Sequence, residues 1–177
     1  MNISCPLDCQ YLQEARLHER AFELDRATVP NKDIAIGEDF ITKHEELALF
    51  CLYTLADAAM RTPGAVDADI LKAVEAVIRT HRTAESGLVY ETRAEDQVAA
   101  AVQDYLERSL ADFQKQRAEN GGLSPLRSAE ILGCLVFAQR YALMEQNGRP
   151  RGRAFIDFVR HRLKIPKPQN MGGLLVS

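Results

Sequence analysis

The sequence predicts an all-α fold, a single-domain bundle of about six helices with the fifth, about 124–146, at its centre. Three observations carry this reading. Apolar residues recur at helical spacing in segment after segment. Breakers fall between those segments: Pro30 to Gly37, Pro63-Gly64, Gly87, Gly121-Gly122 to Pro125, Gly148 to Gly152, and Pro166 onward. Strand-like alternation extends no further than Leu88-Val89-Tyr90. A chain of 177 residues buries roughly 70% of its unfolded surface, so such a core needs neither disulfide nor metal.

The first predicted helix runs about 6–26, with Ser4 or Cys5 as N-cap, Pro6 near the first position and Asp8 at the positive end. The second, about 38–61, sets Phe40, His44, Leu47, Ala48, Cys51, Leu52, Leu55 and Ala59 on one face. The third, about 66–84, repeats the pattern with Ile70, Val74, Val77, Ile78 and His81. In the fourth, about 92–118, Val98, Val102, Tyr105, Leu106, Leu110 and Phe113 oppose Glu107, Arg108, Lys115 and Arg117. The fifth starts at Ser124-Pro125 and is apolar on every side from Ile131 to Ala138, which marks it as the most buried. Gly133 lies inside it, where the missing side chain permits close approach by a neighbour. The sixth, about 151–164, buries Phe155, Ile156, Phe158, Val159 and Leu163. Residues 1–165 are thus expected to form the bundle and 166–177 an extended tail, whose Leu174-Leu175-Val176 end suits docking on the body or on a second chain. Between the third and fourth helices, Ser86 to Glu91 is expected to be a linker with Tyr90 tucked inward.

Charge and cysteine usage narrow the function classes. Residues 147–177 carry seven basic side chains against one acid, Asp157, a net of +6; residues 1–146 therefore carry −9 of the total −3. An acidic body with a basic end argues against general nucleic-acid affinity and leaves a local anion-binding role for the last segment. Arg149, Arg151, Arg153, Arg160 and Arg162 are the candidate anion-binding residues, because arginines fork onto phosphate oxygens. The start Met1-Asn2-Ile3-Ser4-Cys5 has no signal-peptide pattern, and the longest apolar run is far below the roughly 20 residues a membrane span needs. Four cysteines without a secretion signal suggest reduced thiols in the cytoplasm. Cys51 and Cys134 sit among apolar neighbours and read as core.

Cys5 and Cys9 lie one turn apart at a predicted helix start, where the helix dipole favours thiolate; they are the candidate redox or soft-metal pair. His18, nine residues beyond Cys9, falls on the opposite side of that helix and cannot join them. The run Cys5-Pro6-Leu7-Asp8-Cys9-Gln10-Tyr11-Leu12 resembles the N-terminus of an uncharacterised bacterial family of small helical proteins, a resemblance that implies no activity. His44-Glu45-Glu46, followed by His81-Arg82-Thr83-Ala84-Glu85, resembles the first half of a hemerythrin-like bundle. That resemblance implies a di-iron centre with His44, His81 and Glu85 among its ligands. The later helices of that family supply further histidines, whereas here only His161 remains, and Glu130 is the one carboxylate near the apolar face of the fifth helix.

No Walker loop, GxGxxG, HExxH or nucleophile elbow is present. Asp67, Asp69, Asp96 and Asp104 fall near helix starts or on polar faces, where solvation and the dipole account for them. The expected function is accordingly a protein–protein interaction or regulatory module for which no catalytic motif is evident, its partner a protein or a second copy of the chain and not a membrane. The alternatives are a metal- or redox-active bundle and a nucleic-acid or anion contact through the last helix. No cofactor is expected, with iron or zinc as the alternatives.

Overall fold

The computed structural model describes residues 29–88, 90–121 and 124–168. By its contacts the chain divides into two compact units, Met1–Asp33 and Ile34–Ser177. Of the first, the described part is the turn over 29–33, where Asn31 takes a φ of 56°. The predicted helix over 6–26 lies outside the described residues, as does the tail beyond 168.

The described residues contain six helices and no strand: α1 (Glu38–Lys43), α2 (Glu45–Arg61), α3 (Asp67–Glu85), α4 (Gln97–Glu119), α5 (Ser128–Glu145) and α6 (Ala154–Arg162). The second unit is the all-α bundle that the apolar spacing predicts. No helix among the described residues is long and apolar enough to cross a membrane. Centrality is shared: α2 packs against α1, α4, α5 and α6, while α5 packs against α2, α3 and α6. Six consecutive residues of α5, Ile131 to Val136, are buried, as expected of a helix that is apolar all round. Cys51 and Cys134 are both core residues with no solvent exposure.

Buried polar side chains stitch the helices together. Asp57 on α2 accepts from Arg61 Nε at 2.9 Å and from the Tyr105 hydroxyl on α4. Gln139 on α5 donates to Glu75 on α3 at 2.6 Å. Among the described residues no buried side-chain nitrogen or oxygen lacks a hydrogen bond, which keeps these groups from costing their desolvation.

Several boundaries differ from the sequence expectation, and each has a local cause. The helix expected over 38–61 is broken at His44, whose φ of −116° and ψ of 27° separate α1 from α2. The break lets Phe40 reach across to α5 and occupy the notch at Gly133, where an added Cβ would collide with the Phe40 ring. Gly133→Val should therefore overpack this site and lower stability by about 1–3 kcal/mol. In a Phe40→Ala background the same substitution should cost less, and urea denaturation of the four proteins measures the difference. An equal cost in both backgrounds would contradict the contact.

α4 begins at Gln97 and not near 92, because tertiary hydrogen bonds hold 92–94 extended. Thr92 N–H donates to Thr80 Oγ1 at 3.0 Å, and Ala94 N–H donates to Gln103 Oε1 at 2.8 Å. α5 begins at Ser128 and not at Ser124; its start is marked by the Arg127 N–H donating to Glu130 Oε2 at 2.9 Å, half of a capping box. Tyr90 is not tucked inward. It is 74% exposed, and its carbonyl accepts from Thr83 Oγ1 at 3.0 Å, so the backbone and not the ring anchors the connector.

Candidate functional site

α6 buries Phe155, Ile156 and Val159 and turns its other face outward. Its position depends on a carboxylate from α3. Asp67 is 3% exposed and accepts the N–H groups of Phe155 at 3.0 Å and Ile156 at 3.2 Å, while its own N–H donates to Gly152 O at 2.9 Å. The first turn of a helix has N–H groups without intrahelical acceptors, and here a side chain 88 residues away in sequence supplies one. Burial pushes the Asp67 carboxyl above its ordinary value, against the two N–H groups and Arg153. The far end closes as a Schellman-type turn: Ile165 N–H donates to Arg160 O at 3.0 Å, with Lys164 in the left-handed region at φ 51°.

The exposed side of α6 is basic. Arg153, Asp157, Arg160 and Lys164 follow i, i+4, i+7, i+11 spacing, which stacks them on one face. Asp157, Arg160, His161, Lys164 and Ile165 line an open depression of about 660 Å³. Arg153, Asp157 and Arg160 also border a second, of about 490 Å³, with Met60, Lys167 and Pro168. Among the described residues no ion pair engages Arg153, Arg160, Lys164 or Lys167. Ion pairs are made elsewhere in the bundle, such as the bidentate Arg93–Asp104 at 2.8 and 2.9 Å.

The predicted arginine set is thus divided. Arg153 and Arg160 come together. Arg149 and Arg151 are exposed in the preceding loop and line neither depression. Arg162 stands two residues from Arg160, about 200° around the helix, and its charge acts instead on Tyr141, whose hydroxyl burial pushes up to about 12. Lys164 and Lys167 replace them at the site. The predicted set did not separate Arg162 from the face of Arg153, Arg160 and Lys164; their i, i+7, i+11 spacing is the signal that separates them.

The other predicted sites fare differently. The His44 ring packs at a tilt of 49° against the Phe40 ring, with centroids 4.6 Å apart, at the α1–α2 corner. His81 is half-buried against α4, and Glu85 one turn on is exposed. Glu130 caps α5. The structure does not gather His44, His81 and Glu85: among the described residues no three His, Cys, Asp or Glu side chains are grouped so as to hold a metal ion. Cys5 and Cys9 lie outside the described residues. Burial pushes the Cys134 thiol up to about 12, with Glu130 adding to the effect, and raises Cys51 further still; neither is set up as a nucleophile.

Two polar residues escaped the sequence reading. Asp67 is a buried cap and not a solvated helix-start acid, and no local signal reveals this because its partners lie on α6. Gln103, 2% exposed, fixes the 92–94 segment and also donates to Glu107 at 2.9 Å. No protein family, no characterised protein and no solved structure matches this chain.

Proposed function

We propose that the protein is an interaction module that binds an acidic polypeptide segment through the basic face of α6. The observation that carries this reading is a set of four cations, Arg153, Arg160, Lys164 and Lys167, that make no ion pair among the described residues and lie along two open depressions, in a chain whose residues 1–146 are net acidic. Cations that neutralise their own body would be ion-paired to it; among the described residues these are not. A protein partner fits better than a phosphate polymer for two reasons. Asp157 sits among the cations and repels continuous phosphate charge. Apolar surface adjoins the site as well, since the Met60 side chain borders it. Mixed apolar and basic surface matches an amphipathic acidic segment.

The test is fluorescence anisotropy of the full chain with a labelled helical peptide of glutamate and leucine, at several salt concentrations. Binding should weaken as salt rises. Reversing Arg153, Arg160, Lys164 and Lys167 to Glu should reduce affinity by about tenfold or more, with circular dichroism unchanged. Unaltered affinity in the reversed variant would overturn the reading. So would tighter binding of a double-stranded RNA of equal length, which would point to phosphate recognition.

A further inference from the structure

One helix of the bundle keeps large apolar side chains in solvent. Among the described residues four such side chains are exposed: Leu88 and Tyr90 on the connector, and Leu49 and Tyr53 on α2, the latter two at 43% and 39%. Leu49 and Tyr53 are four residues apart and so stand one above the other on a single helix face. Ala48, Cys51, Leu52 and Leu55, from the inner side of the same turns, are buried. α2 packs against α1, α4, α5 and α6 and still leaves this pair open.

The last residues of the same chain set out from one end of that helix. Lys167 and Pro168 border the same depression as Met60, at the C-terminal end of α2. Met60 follows Tyr53 by seven residues and Leu49 by eleven, which places it within about 20° of each around the helix. Along the axis the separations are about 10 Å and about 16 Å. The turn between, at Ala56 and Asp57, is buried. From Pro168 six residues lead to Leu174, and an extended chain of that length covers up to about 20 Å. Leu174-Leu175-Val176 therefore has the reach to meet both Tyr53 and Leu49. Composition agrees with this course. Residues 169–177 contain no Asp, Glu, Lys or Arg, so nothing in their side chains answers the basic face of α6. Gly172 and Gly173 bring no side chain that would hold the segment off the buried turn. A tethered segment also needs little intrinsic affinity, because a short linker holds it at an effective concentration in the millimolar range. A second copy or a separate protein binds without that help.

We propose that the exposed apolar face of α2 is a docking site for the C-terminal segment of the same chain, with Leu174, Leu175 and Val176 packed on Leu49 and Tyr53. The protein contains no tryptophan, so Tyr53→Trp puts a single fluorescent reporter on the face, and Tyr90→Trp puts one on the connector as a control. Acrylamide, a neutral quencher, then reads how open each position is in the full chain. A tethered segment at a few times its dissociation constant covers the face most of the time, so the reporter at 53 should be quenched about threefold less than in the same protein carrying Leu174→Asp and Leu175→Asp. The reporter at 90 should be quenched equally in both, and circular dichroism should not change. A synthetic peptide of residues 169–177, added to the double-aspartate protein, should restore the protection saturably. Equal quenching at position 53 with and without the aspartates would overturn the proposal and leave the face open to another partner. Protection that disappears on dilution, together with a fall in mass from dimer to monomer, would also overturn it, by assigning the face to a second copy.

Discussion

Replacing Asp67 with alanine is expected to lower the unfolding free energy by about 2–5 kcal/mol, since it strands two buried backbone N–H groups that each cost about 1–3 kcal/mol unsatisfied. Those groups belong to Phe155 and Ile156, both without solvent exposure, so water cannot replace the lost acceptor without opening the joint. The loss should show in urea denaturation and as a fall of roughly 10 °C in melting temperature, at about 2–4 °C per kcal/mol for a chain of this size. Asp67→Asn keeps the shape and one acceptor and should fall between wild type and alanine. Wild type and the asparagine variant should also differ in pH dependence. Because burial raises the Asp67 pKa, the native state holds this proton more tightly than the unfolded chain does. The stability linked to that proton is fully present below the unfolded value and is lost as pH rises through the folded one. A carboxamide does not titrate there, so the stability difference between wild type and Asp67→Asn should narrow as pH rises across that window. An alanine variant that melts with wild type would show that α6 is held without this cap.

The second large effect is expected at Phe155, the largest fully buried side chain among the described residues. It lies on α6, which packs mainly against α2, and its ring meets the edge of Tyr141 on α5 at a centroid distance of 6.3 Å. Phe155→Ala removes that ring and leaves a cavity among three helices, at a cost of about 3–5 kcal/mol. The variant should also lose affinity for the acidic peptide, because the basic stripe is aimed only while α6 is seated. Charge reversal at Arg153 and Arg160 should do the opposite: binding falls while melting temperature holds. A Phe155→Ala protein with near-normal stability would contradict the packing described for α6.

The sequence alone determined the helices and their inner faces. Ile70, Val74, Val77 and Ile78 on α3, and Val102, Leu106 and Leu110 on α4, are buried as their spacing requires, because helical period and burial are both local consequences of 3.6 residues per turn. The run Ile131 to Ala138 announced a buried helix, and Gly133 a close approach, for the same reason. Of the arginines that the sequence grouped, only Arg153 and Arg160 share the face that also carries Lys164. Only the tertiary structure decided where helices stop and which polar groups are spent inside. The break at His44 follows from Phe40 reaching α5 at Gly133. The late start of α4 follows from hydrogen bonds made by Thr80 and Gln103. Asp67 reads locally as one more acid at a helix start, yet its partners lie 88 and 89 residues away. Long-range hydrogen bonds of this kind leave no periodic trace in a sequence, since they depend on two segments meeting and not on the pattern within either.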